Sequence, residues 1–333
     1  MKLPIEPPYL PMEAESVARI PEGDDWQYEP KWDGFRCLVF RDGDEVQLQS
    51  KSAQPLARYF PELVAACRQL KPARFVLDGE IVIPFEDGFS FDSLLRRIHP
   101  AASRIAKLAT ETPARLILFD FLVDARGQLL ADAPLLQRRA ALEHFAHGFL
   151  KGHASFELSP ATCDAGLARQ WLATLNGTLD GVIAKRTDLA YQSGERSGMV
   201  KVKNLRTADC VVGGFRYAEK KTVVGSLLLG LFDADGLLHH VGFTSGLASA
   251  EKPALTKKLE ALIGPPGFTG KAPGGPSRWS SARSAEWQPL KTKLVVEVRY
   301  DHFTGGRFRH GTRLERWRPD KAPRQCLLRQ VQR

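Results

Sequence analysis

The chain of 333 residues has no apolar run that approaches the length needed to cross a bilayer, which argues against a helix-spanned membrane protein. Its N-terminus, MKLPIEPPYLPMEAES, carries two tandem prolines and no apolar signal core, so secretion is not expected. Cysteine is scarce: Cys37, Cys67, Cys163, Cys210 and Cys326 lie far apart and none forms a C-x-x-C pair. That spacing argues against a zinc site or a disulfide framework and fits a reducing cytoplasm. Internal repeats and low-complexity tracts are missing. Acidic side chains are in deficit, 38 against 47 Lys and Arg, leaving a net charge of +9. A surplus of this size favours a polyanionic partner, because each phosphate contact releases counterions. Charge by itself does not separate a nucleic-acid binder from a merely basic protein.

With 43% hydrophobic and 26% charged residues, the composition is that of a globular chain, long enough for one large or two ordinary domains. Cys37–Phe40, the RDGD turn and the alternation at Val46 and Leu48 read as a hairpin. RFVLDGEIVIP and RLILFDFLVDARG read as strands. DSLLRRI and LLQRRAALEHFAHGFL carry helical spacing, the latter after Asp132 as a cap. DAGLARQWLATLNG is a helix with Asn176-Gly177 as its stop signal. LDGVIAKR and GMVKVKN are two short strands. These elements predict an α+β domain over 1–205. Composition shifts after Asp209 to glycine-punctuated strands, with the single helix SAEKPALTKKLEALIG. About five strands and one helix predict a small C-terminal β-barrel of the OB-fold type over 206–333. The Pro/Gly-rich piece from Gly264 to Trp279 reads as a loop.

Lys31 is the position that raises a question, since it sits between Glu29 and the Trp32-Asp33-Gly34 turn. Alone it reads as a solvated lysine at a strand end. Short patterns downstream change that weighting: Ser50-Lys51, LDGE from Leu77 to Glu80, LILFD from Leu116 to Asp120, LDGVIAK from Leu179 to Lys185, VKVKN from Val200 to Asn204, and RWRPDK from Arg316 to Lys321. Lys201 and Lys203 stand at i and i+2, so on a strand both amines point to one face and can meet one polyphosphate. Read alone, KVK is equally a lysine-rich edge strand. Phe119 within LILFDFL is by itself more often core than ligand-binding.

In this order, with Lys31-Trp-Asp-Gly-Phe-Arg36 at the head, the patterns resemble the covalent nucleotidyltransferases: DNA ligases, RNA ligases and mRNA capping enzymes. Within them the chain is most similar to small bacterial ATP-dependent DNA ligases of the LigC kind, related to the ligase module of LigD, and the resemblance covers nearly its whole length. It implies a nucleotidyltransferase (adenylation) domain followed by the OB-fold domain. It also implies ATP and Mg²⁺ or Mn²⁺ as cofactors, and the sealing of 5′-phosphate/3′-hydroxyl nicks in duplex DNA. Lys31 would attack the α-phosphate and hold AMP, a role a lysine can fill once its amine is deprotonated. Asp33, Lys201 and Lys203 would complete the catalytic set. Arg36 and Glu80 would contact the ribose, Glu29 the adenine amino group and Phe119 the purine face. Lys185 would contact the α-phosphate. Arg318 and Lys321 would swing over the site for the ATP step alone, about a hinge at Leu205–Asp209.

Two positions depart from the usual ligase pattern. Asp180 stands where Glu is common; with Glu80 it is the expected metal ligand, and an aspartate there also occurs in capping enzymes. Lys51 stands where many ligases carry an arginine on the nick phosphate, and lysine holds phosphate as a point charge rather than a fork. An RNA ligase, a GTP-using capping enzyme and a non-catalytic basic OB-fold binder therefore remain as rivals. Thirty residues precede Lys31, so no separate N-terminal DNA-binding domain is expected. A monomer is expected, with repair polymerases or other repair proteins as conceivable partners. Lys271, Arg278, Trp279 and Arg283 mark a loop that could touch DNA or merely be surface.

Overall fold

Arg41, Asp42 and Gly43 open a tight turn in which Gly43 takes a positive φ of 62°, and the chain reverses from Phe35–Asp42 into Glu45–Ser50. In this computed structural model, residues 1–86, 88–173, 179–219, 222–274 and 286–332 are described. The chain divides into two units, Met1–Asn204 and Leu205–Arg333.

The first unit holds two sheets. One runs in the order Glu45–Ser50, Phe35–Asp42, Arg74–Val82, Arg115–Val123, Phe156–Leu158, antiparallel but for its last pair. Both of its faces are covered. Cys37, Val39, Leu77 and Phe121 pack with Leu63 and Cys67 of the helix Pro61–Gln69 and with Leu142 and Phe145 of the helix Leu135–Phe149. Leu38, Phe40, Val76 and Leu122 face Leu3, Met12, Tyr191 and Met199. Burial on both faces is why Cys37–Phe40 is an unbroken apolar run rather than an alternating one. The second sheet runs Glu15–Ser16, Met199–Lys203, Gly181–Arg186, Trp26–Lys31.

Helix starts depart from expectation. Pro134, not Asp132, is the N-cap of Leu135–Phe149, and it makes no side-chain cap. That helix is instead tied down by Arg138, which is buried and bonds Asp120 at 2.7 Å and the Ala133 carbonyl at 2.6 Å. Ser90 caps Phe91–Arg97, accepting from the Ser93 amide at 3.2 Å. Pro61–Gln69 and Ala102–Glu111 are helices that the reading of the sequence did not single out, the second burying only Ile105. The helix Ala165–Ala173 forms, while its expected stop at Asn176-Gly177 lies outside the described residues. Among the described residues no helix is long and apolar enough to cross a membrane.

The second unit is an antiparallel sheet in the order Leu238–Thr244, Val224–Phe232, Arg206–Tyr217, Val295–Tyr300, Arg313–Trp317. Its two edge strands meet: the Thr312 amide donates to the Phe243 carbonyl at 3.0 Å and the Thr244 hydroxyl donates to the Thr312 carbonyl at 2.9 Å. Val211, Phe215, Leu228, Val241, Leu290 and Val296 fill the interior. The helix Lys252–Glu260 docks through Leu259 and through Thr256, whose hydroxyl accepts from the Val224 amide at 2.8 Å. The first strand starts at Arg206, ahead of the composition shift at Asp209, so most of the expected hinge segment is strand. Arg313–Trp317, legible only as basic sequence, is also a strand.

Candidate functional site

The strands Trp26–Lys31 and Gly181–Arg186 pair antiparallel with Lys31 opposite Gly181 and Glu29 opposite Ile183. The main chain closes the end of this ladder, the Asp180 amide donating to the Lys31 carbonyl at 2.9 Å. Glycine is required beside it. Gly181 has φ +150°, and a Cβ there would lie 2.1 Å from the Val202 carbonyl oxygen. That close approach delivers Asp180, which is buried, onto the Lys31 amine. Lys203 reaches the same Asp180 oxygen at 3.7 Å from the neighbouring strand.

Gly34 plays the matching part on the other sheet. A Cβ on it would lie 2.1 Å from the Ile81 carbonyl oxygen, and its amide donates to Glu80 at 3.0 Å. Burial pushes the Glu80 carboxyl up to about 7, although Arg36 and Lys31 pull the other way. Arg36 forks onto Asp78 with two bonds of 2.6 Å and lies 4.5 Å over the Phe119 ring. Lys185 is buried against Glu29 at 2.9 Å, donates to the Phe119 carbonyl at 3.3 Å and sits 4.7 Å from the same ring. Burial, followed by the charges of Lys31, Lys51 and Lys203, holds the Lys201 amine below the usual lysine range.

Glu29, Lys31, Arg36, Lys51, Glu80, Phe119, Lys185 and Lys201 all line one cavity of about 220 Å³. Asp180 joins it through Lys31, and Lys203 through Asp180. Asp33 follows in the turn after Lys31 and does not line the cavity. Arg318 and Lys321 belong to the second unit. There both grip Asp209, at 2.9 and 2.5 Å, and Arg318 also bonds Asp320. Hydrogen bonding from Arg318 draws Asp320 down to about 2. Lys271 is described, but Arg278, Trp279 and Arg283 lie outside the described residues.

Several residues of the site carry no motif signal. Tyr191 donates to Asp78 at 2.5 Å and accepts from the Met12 amide at 2.9 Å, so a fully buried carboxylate is held by Arg36 and Tyr191 together. Asp78 stands inside the quoted LDGE without an assigned role, and a tyrosine 113 residues away cannot be paired with it by spacing. Glu13 and Arg196, bonded to each other, are equally silent in the sequence.

Comparison with known proteins gives consistent matches. The family model for the ATP dependent DNA ligase domain matches residues 11–203, and that for the ATP dependent DNA ligase C terminal region matches residues 220–321. DNA ligase C2 of Mycolicibacterium smegmatis is 45% identical over 351 aligned residues, covering 99% of this chain and 96% of that protein. DNA ligase C of Mycobacterium tuberculosis is 44% identical, covering 100% and 96%. The multifunctional non-homologous end joining protein LigD of Mycobacterium bovis is 31% identical over 91% of this chain and 37% of its own length. A solved structure of a Lig E DNA ligase shares the fold at a TM-score of 0.56, with 16% identity over 92% of this chain and 100% of that one.

Proposed function

The chain belongs to the ATP-dependent DNA ligases, and from that premise we propose how its side chains divide the reaction. The enzyme joins DNA strands at the expense of ATP. The convergence of eight motif side chains on one cavity supports the assignment of individual roles within the first unit.

Lys31 Nζ is the nucleophile. It attacks the α-phosphorus of ATP, a P–N bond forms, the α–β P–O bond breaks and pyrophosphate leaves. The AMP then passes to the 5′-phosphate of a nick, and the 3′-hydroxyl displaces it to form the phosphodiester. Lys201, Lys203 and Lys185 supply fixed positive charge where the phosphates lose their hydration. Arg36 and Glu80 hold the ribose and Phe119 packs on the purine. Glu29 reads the adenine amino group, which requires the Glu29–Lys185 pair to open toward the ligand. Lys51 takes the nick phosphate, and Asp33 holds the turn that aims Lys31.

Among the described residues no group of three or more His, Cys, Asp or Glu side chains could hold a metal by itself. That donor set fits Mg²⁺ or Mn²⁺ arriving with ATP, because such a cation takes one or two carboxylates and completes its shell with phosphates and water. Asp180 and Glu80 are the carboxylates that would hold it, and its chemistry would be to neutralise phosphate charge.

The second unit is read as an OB-type barrel, because five antiparallel strands with bridged edges and one helix fit that architecture. Arg318 and Lys321 orient pyrophosphate in the ATP step only. With the strand beginning at Arg206, the hinge contracts to Asn204–Leu205. Likeness to LigD supports a role in DNA repair. The decisive test is Lys31→Ala with labelled ATP and, separately, labelled GTP. The native chain should form a stable adduct with ATP, the variant none, and the variant should still seal a pre-adenylylated nick. An adduct of normal yield in the variant would falsify the assignment of Lys31. A native adduct with GTP instead would move the chain toward capping chemistry.

A further inference from the structure

Beside the cavity, three nitrogens converge on a single oxygen of the chain's own making. Arg196 Nε and Nη2 lie 3.1 and 2.9 Å from Glu13 Oε2, and Lys51 Nζ lies 3.2 Å from the same atom. Such a cluster of cationic donors around one oxygen is how a phosphate oxygen is held. The segment carrying Glu13 is pinned by its backbone. The Glu13 amide donates to the Glu195 carbonyl at 2.8 Å, the Met12 amide to the Tyr191 hydroxyl, the Ser193 hydroxyl to the Leu10 carbonyl at 2.8 Å, and the Val17 amide to the Lys201 carbonyl at 3.0 Å. The side chain of Glu13 can therefore turn away while the segment stays in place.

We propose that Glu13 is an internal surrogate for a substrate phosphate: its carboxylate holds Lys51 and Arg196 at the rim of the cavity until the 5′-phosphate of the nick displaces it. The proposal rests on the reading of Lys51 as a nick-phosphate residue. It adds Arg196 to the same anion site and makes Glu13 the residue that sets how strongly a terminal phosphate must compete. Exchange is favoured in this direction by charge and by exposure. A phosphate monoester carries up to two negative charges and more acceptor oxygens than a carboxylate. The two cations are largely open, Lys51 at 56% and Arg196 at 68% exposure, so their pairs with Glu13 are of the weak surface kind. Protonation does not release them near neutral pH. Burial raises the Glu13 carboxyl, but the bonds from Lys51 and Arg196 more than offset this and hold it below the usual range.

The test is equilibrium binding of the full-length protein, without divalent metal, to two nicked duplexes that differ only in a 5′-phosphate or a 5′-hydroxyl at the nick. Glu13→Gln and Glu13→Leu should both tighten binding to the phosphate nick, roughly two- to thirtyfold if both surface pairs no longer compete. Neither should change binding to the hydroxyl nick, and the gain should vanish in a Lys51→Ala, Arg196→Ala background. A gain equal on both nicks, no gain, or weaker binding in both variants overturns the proposal. If Lys51→Ala alone leaves phosphate-nick binding unchanged, the role of Lys51 falls and this inference with it. If Lys51→Ala weakens binding while the Glu13 variants do nothing, this inference alone falls.

Discussion

Glu29→Gln isolates the ion pair at the base of the site. Glu29 and Lys185 are 2% and 3% exposed and 2.9 Å apart. Removing one partner of a buried pair leaves the other charge uncompensated, which costs about 3–5 kcal/mol. Lys185 would keep the Phe119 carbonyl at 3.3 Å and the ring at 4.7 Å, which places the loss near the lower end, about 3 kcal/mol. In a unit of this size each kcal/mol moves the melting temperature by about 2–4 °C, so the variant should melt about 6–12 °C lower. Glu29→Gln combined with Lys185→Met removes both charges and should recover most of that loss, because a buried pair replaced whole is close to neutral. Thermal melting of the four proteins forms the cycle. Adduct formation from ATP is assayed alongside, and should stay low in the stable double variant, separating contact with the nucleotide from folding. Two results would refute the reasoning: a single variant that melts within about 2 °C of the native chain, or a double variant as unstable as the single.

Two further outcomes are expected. Arg318→Ala with Lys321→Ala should sharply reduce adduct formation and leave single-turnover sealing of a pre-adenylylated nick near normal; equal loss of both would mean that these residues grip DNA or merely hold Asp209. Burial pushes the His240 imidazole down to about 4 from 6.5, with Arg307 and Arg216 adding to the effect. The folded state therefore binds this proton less readily than the unfolded one, so stability is full above about 6.5 and falls toward pH 4, by up to about 3 kcal/mol. His240→Gln should flatten that part of the melting-versus-pH curve, and parallel curves for variant and native chain would remove the role of His240.

Much of the site was legible from residue order. Lys31 and Lys185 are picked out by the order of the patterns: Lys31 by itself reads as a solvated lysine at a strand end, and only the motifs that follow give it a chemical role. The motifs contain Gly34 and Gly181, but only the structure shows why glycine is needed there: a Cβ on either would lie 2.1 Å from a carbonyl oxygen of a neighbouring strand. Strand periodicity also put Lys201 and Lys203 on one side of their strand, which follows from local geometry alone.

Tertiary structure decided the pairings. Lys31 meets an aspartate 149 residues away, Arg36 and Tyr191 share Asp78, and Glu13 draws Lys51 and Arg196 onto one oxygen. No local spacing encodes such contacts, because each depends on which strands lie side by side. The same limit hid the strand Arg313–Trp317, and the helices Pro61–Gln69 and Ala102–Glu111 went unread. Arg313–Trp317 is recruited by pairing with Val295–Tyr300 rather than by its own alternation, and Ala102–Glu111 buries a single apolar residue. Residue types and their order carried the chemistry, since the nucleophile and the cations that serve it are fixed by side-chain type. Which charge faces which was set by packing, because partners are chosen by sheet order and burial over distances the sequence does not display.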